Sequence, residues 1–166
     1  MAKGVLFWLA NASYRQWQII KLLVLGAIFT FLGGFAAFGR FSTQMLAEYY
    51  LMNGEAASQT PAGQKALRQA AQLQPHWARA HLSLAQAYYG DNWYDGAIQE
   101  AQQAFRLTED STDKSFAASL IGFSYLALSR NEEALDALKL AVELNPDNAK
   151  AQQTLQQLQQ KLPGSS

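Results

Sequence analysis

The chain has 166 residues, 49% of them hydrophobic, enough for one modest domain and one apolar segment and too few for two independent cores. Its charges balance only formally: Lys3, Arg15, Lys21 and Arg40 precede the first acidic residue, Glu48, and the rest is net negative, which argues against nucleic acid as a partner. Cysteine is absent, which excludes disulfides, iron–sulfur clusters, thiol nucleophiles and the usual structural zinc sites.

Residues 1–16 hold the short apolar run Val5-Leu6-Phe7-Trp8-Leu9-Ala10. It is too short to span a bilayer and suits an interfacial segment or a flexible leader. From Leu22 to Gly39 no residue is charged, a stretch of about 27 Å as a helix. Trp17, Ile19 and Ile20 extend it backward past Lys21, whose long stem can carry its ammonium to the interface. The expected transmembrane helix therefore covers residues 17–39, with Trp8, Tyr14 and Trp17 before it and Phe41, Tyr49 and Tyr50 after it as headgroup-level aromatics. A cleaved signal peptide, with Gly34 and Ala36 as a small-x-small site, is the rival reading, and the run is long for a signal core. Gly26, Thr30, Gly33, Gly34 and Ala37 share one helical sector, and Phe31, Phe35 and Phe38 another. The small-residue face would let a second helix approach closely, although glycine is also simply common in membrane helices. The excess of basic residues before the span predicts a cytoplasmic or stromal N-terminus, with the remainder of the chain across the membrane.

Beyond Arg40 the sequence becomes rich in alanine and glutamine with helical spacing, broken at Gly90-Asp91-Asn92, Ser129-Arg130-Asn131 and Pro146-Asp147-Asn148. An offset of 37 aligns Ala97 with Ala134, Ala104 with Ala141, Tyr88 with Tyr125, Leu84 with Ile121 and Ala85 with Gly122. Two 34-residue helical hairpins follow, 78–111 and 115–148, with Thr112-Asp113-Lys114 inserted between them. The small residues of these pairs are expected where two helices cross, because larger side chains there would force the hairpin apart.

Ala-Tyr-Tyr (87–89), Tyr94-x-x-Ala97-Ile98 and Ala104-Phe105-x-Leu107, with Gly122-x-x-Tyr125, Glu132-Glu133-Ala134-Leu135 and Ala141-Val142-Glu143-Leu144-Asn145-Pro146, resemble tetratricopeptide repeats (TPRs). The resemblance implies an all-α fold, one N-terminal transmembrane helix followed by a short array of hairpins. Weaker matches extend it to a degenerate hairpin over 40–77, first helix 41–53, with Gly63 where alanine is usual. Residues 149–162 read as a capping helix whose Leu155 and Leu158 close the open end, and 163–166 as a tail. Glu109 replaces the expected proline of the middle unit, and Ser129 a turn glycine.

In such arrays the first helix of each unit lines a concave groove. The resemblance thus implies that Arg79, Leu82, Gln86, Tyr89, Phe116, Ser119, Phe123 and Leu126 form a partner-binding groove. The segment 115–129 carries no charge and is apolar nearly all round, so Phe116 and Phe123, seven apart, are expected to be exposed anchors, unless Tyr88 or Tyr89 and the capping helix bury them. Some TPR domains clamp a terminal carboxylate with Lys and Asn; Leu82, Gln86 and Leu120 stand at three of those places, so an extended apolar segment or an amphipathic helix is the expected occupant.

Chemistry is not expected. His76 and His81 are the only histidines, at the entry to a helix, and His81 holds a packing position of the repeat. Glu109-Asp110 and Glu132-Glu133 are adjacent pairs that suit helix starts better than an acid–base dyad. The resemblance extends to TPR proteins of thylakoid photosystem assembly and to single-span bacterial envelope TPR proteins, implying a non-enzymatic adaptor or assembly factor for a membrane complex. Its expected partners are other proteins and, through 17–39, the lipid bilayer, with no cofactor or metal. A permanent structural subunit and an envelope chaperone for exported proteins are the alternatives.

Overall fold

The computed structural model describes residues 40 and 42–161, in which seven helices follow one another without a strand. They are α1 over 42–56, α2 (Pro61–Leu73), α3 (Ala78–Gly90), α4 (Tyr94–Leu107), α5 (Ser111–Ala127), α6 (Asn131–Leu144) and α7 (Ala149–Lys161). Helices α3/α4 and α5/α6 make two hairpins and α7 closes the array against α6, while α1 and α2 make a third, with Gly54 against Leu67 and Leu51 in the same core as Leu67 and Ala70. From Thr43 onward these residues belong to one compact unit; a second unit covers Met1–Ser42. The expected span 17–39, its face of Gly26, Thr30, Gly33, Gly34 and Ala37, the leader 1–16 and the tail 163–166 lie outside the described residues. Among the described residues no helix is long and apolar enough to cross a membrane.

Small residues set the distance between helices. Ala85, Ala97, Ala104, Ala134 and Ala141 are fully buried, and Gly122 lies so close to α6 that a Cβ there would sit 2.7 Å from Leu138 Cγ. Side chains of this size allow axes to approach to about 8–10 Å. Leu51, Leu67, Leu84 and Tyr88 fill the core between the first two hairpins; Leu135, Leu138, Phe123 and Leu158 fill that between the last hairpin and α7. Tyr125 and Ile121, the counterparts of Tyr88 and Leu84, are only half-buried.

Both inner turns are built alike. Asn92 and Ser129 adopt left-handed φ of 62° and 61°. In each turn the next residue donates its N–H to the carbonyl five back, Trp93 to Tyr88 at 2.9 Å and Arg130 to Tyr125 at 2.8 Å, satisfying a carbonyl the helix end would otherwise leave free. The same residue then covers that tyrosine: the Trp93 ring is 4.3 Å from the Tyr88 ring, and the Arg130 guanidinium 4.5 Å from the Tyr125 ring.

Three local expectations change. Helix α1 runs to 56, not 53. Thr112-Asp113-Lys114 is no linker but part of the first turn of α5, because Asp110 accepts the N–H groups of Thr112 and Asp113 at 2.8 and 3.0 Å and so starts the helix ahead of them. Gly63 reflects a tighter hairpin: a Cβ there would lie 2.0 Å from the Ala57 carbonyl oxygen in the α1–α2 turn.

Candidate protein-binding groove

Helices α3 and α5 carry all eight residues expected to line the groove, and the structure divides them by accessibility. Arg79, Gln86 and Phe116 are exposed, Tyr89 and Leu126 half-buried, and Leu82, Ser119 and Phe123 buried. Arg79 is tied to the first hairpin, its Nε and Nη2 donating to Glu55 at 3.3 and 3.0 Å, while the Ser83 hydroxyl donates to the same carboxylate at 2.7 Å. Leu82 packs against Ala104 and Ala117, between the second hairpin and α5.

The two aromatic anchors separate. Phe116 is 40% exposed, whereas Phe123 is 8% exposed. Tyr89 from α3 lies 6.4 Å from the Phe123 ring centre, Tyr94 is 5.7 Å beyond Tyr89, and Lys150 Nζ from α7 sits 4.8 Å from the Phe123 ring. The expectation of two exposed rings is corrected for Phe123: helical spacing places 116 and 123 on one side, but neighbouring elements cover only the second. Burial also pushes the Tyr89 phenol above its ordinary pKa.

Ser119 is likewise no groove contact. Its hydroxyl donates to the Ser115 carbonyl at 2.8 Å, the Ser115 hydroxyl donates to the Ala141 carbonyl at 2.7 Å, and Asn148 donates to both hydroxyls at 2.9 and 3.0 Å. The Asn148 side-chain oxygen accepts the Ala151 N–H at 3.2 Å and so caps α7. One amide thereby satisfies two buried serines and starts the last helix. An asparagine just before a helical run was a visible cap signal; its partners 33 and 29 residues upstream were not.

His81 joins three elements. Its Nδ1 is 2.7 Å from Glu100 of α4 and its Nε2 3.1 Å from the Pro75 carbonyl in the α2–α3 turn. Both partners are acceptors, so the protonated ring satisfies both. The hydrogen bond to Glu100 outweighs burial and holds the imidazole above its ordinary pKa. His76, by contrast, is exposed. Among the described residues no three His, Cys, Asp or Glu side chains group as metal ligands.

Residues 117–148 match the family model of the tetratricopeptide repeat. The Arabidopsis OM64 TPR domain is similar in structure, with a TM-score of 0.67 at 20% identity over 72% of this chain and 99% of that one. The first TPR of Spaghetti (RPAP3), bound to the HSP90 peptide SRMEEVD, gives 0.64 at 20% identity over 71% and 94%. The second TPR domain of human RPAP3, in complex with the HSP70 peptide SGPTIEEVD, gives 0.58 at 18% identity over 68% and 98%. No curated protein matches the sequence. At these identities the structural likeness establishes the fold alone, a TPR-like helical array.

Proposed function

We propose that this chain is a membrane-anchored TPR protein, held through residues 17–39, that binds other proteins as a non-enzymatic adaptor or assembly factor for a membrane complex, with a photosynthetic complex as one candidate. The observation that carries the binding role is Phe116, a large aromatic left 40% exposed on α5. Terminal-carboxylate peptides such as those seen with the RPAP3 domains suit this surface poorly: Leu82 and Leu120, at two of the clamp positions implied by the resemblance, are apolar and buried, and Gln86 at the third is neutral. An amphipathic helix or extended apolar segment that covers Phe116 fits better. The charge excess before residue 22 supports repeats on the side of the membrane opposite the N-terminus.

The test is recovery of partners with the full chain from gently solubilised membranes, wild type beside Phe116→Ser. A central aromatic anchor contributes about 2 kcal/mol or more, so partner recovery should fall at least tenfold. An unchanged set of proteins at unchanged yield overturns the assignment of Phe116. A free monomer pool in the same preparation marks an adaptor; complete comigration with one complex marks a permanent subunit.

A further inference from the structure

Of the large apolar side chains that the array leaves exposed, four sit on α1: Met45, Leu46, Tyr49 and Met52. At about 100° per residue they form one stripe. It lies across the helix from Ala47, Leu51 and Gly54, the residues α1 buries. Tyr49 and Met52 are 61% and 70% exposed. Helix α1 is therefore apolar on two opposite faces, one used by the array and one unused. Glu48 and Glu55 flank the stripe on the side where Glu55 meets Arg79 and Ser83 of α3.

We propose that this stripe lies in the interfacial zone of a phospholipid bilayer, so that α1 rests along the membrane surface and holds the array against it. The inference rests on the reading of residues 17–39 as a membrane anchor. It follows from chain length: only five residues, 40–44, join the uncharged run ending at Gly39 to Met45. Residues 42–44 are already the first turn of α1, so the connection falls well short of the roughly 18 Å of a fully extended five-residue chain. An apolar stripe that begins so close to a bilayer faces lipid at little entropic cost, and methionine, leucine and tyrosine are side chains that partition to the acyl–headgroup boundary. Glu48 on the flank keeps its charge in water. A second copy is the weaker occupant, because a specific dimer buries roughly 800 Å² per partner, contributed by about 20–30 residues, and this stripe offers four large side chains.

The chain contains no cysteine, so single labels can be placed without background. Met45→Cys, Tyr49→Cys and Met52→Cys, with Glu143→Cys and Gln153→Cys as controls on exposed positions of α6 and α7, would each carry a nitroxide on the full chain. The chains are reconstituted in vesicles of phosphatidylcholine and phosphatidylglycerol. Power saturation then compares collision with oxygen, which concentrates in lipid, and with a water-soluble nickel chelate. Labels at 45, 49 and 52 should favour oxygen several-fold more than the two controls. Labels that match the controls, on chains that float with the vesicles, overturn the stripe proposal and leave the anchor standing. Chains that do not float overturn both. Dipolar broadening between Tyr49→Cys labels, in vesicles and detergent alike, assigns the stripe to a second copy and likewise overturns the proposal.

Discussion

Replacing Gly122 with alanine tests the crossing of α5 and α6. The new methyl would meet Leu138 Cγ at 2.7 Å and Cδ2 at 3.0 Å, with the Ala134 carbonyl oxygen at 3.4 Å. Leu138 is fully buried and the nearest atom is its branch point, so the side chain cannot swing aside into solvent. Overpacking of this kind costs about 1–3 kcal/mol, while alanine for glycine inside a helix returns about 1 kcal/mol. The net expectation is a loss of about 1 kcal/mol. For a domain of roughly 120 residues the unfolding entropy is about 0.25 kcal/mol/K, so Tm should fall by about 4 °C. Thermal unfolding of residues 40–166 followed by circular dichroism measures it. Adding Leu138→Val, which shortens the obstructing side chain, should make the pair less destabilised than the sum of the single changes. A Tm equal to or above wild type would refute the reasoning, because propensity would then win and α5 and α6 would have room to spare.

Three further outcomes are expected. Phe123→Ser should cost several kcal/mol, because a buried ring flanked by Tyr89 and Lys150 is removed, whereas Phe116→Ser should shift the same unfolding curve by less than about 1 kcal/mol; equal effects would mean the two rings share one environment. Ser129→Gly should raise Tm, since a non-glycine residue at φ 61° bears roughly 1–2 kcal/mol of steric cost, and a fall would show the hydroxyl to be needed in the turn. His81 has a folded-state pKa raised mainly by its hydrogen bond to Glu100, so its contribution is complete below the unfolded value near 6.5 and is lost as pH rises through the folded value; Tm measured from pH 6 to 9 should decline more steeply in wild type than in His81→Gln, and parallel profiles would sink the linkage.

The hairpin architecture was legible because the small residues at helix crossings repeat at a fixed offset, and a crossing tolerates little else. The groove was less so. Ser119 read as a groove residue, yet it is buried beside Ser115, and both hydroxyls are satisfied by Asn148, a partner across a whole hairpin that no local pattern signals. Phe123 read as an anchor from its spacing to Phe116, yet the residues that cover it come from α3 and α7. The start of α5 was missed for a different reason: Thr112-Asp113-Lys114 breaks the repeat period and so resembles a linker, although Asp110 caps it into the helix. Periodicity reports what each helix needs inside its hairpin; it is silent about what a neighbouring hairpin brings.

The matching turns at Asn92 and Ser129 make the stretch between them a cassette. Both junctions have the same left-handed backbone state, the same return hydrogen bond and the same covered tyrosine, 37 positions apart. A second copy of residues 93–129 inserted after Ser129 would therefore join at a seam whose backbone geometry already exists on either side. Duplication by recombination within such a gene would lengthen the array by one hairpin step and leave the asparagine-capped final helix in place, a route by which a short binding surface becomes a longer one without a new fold.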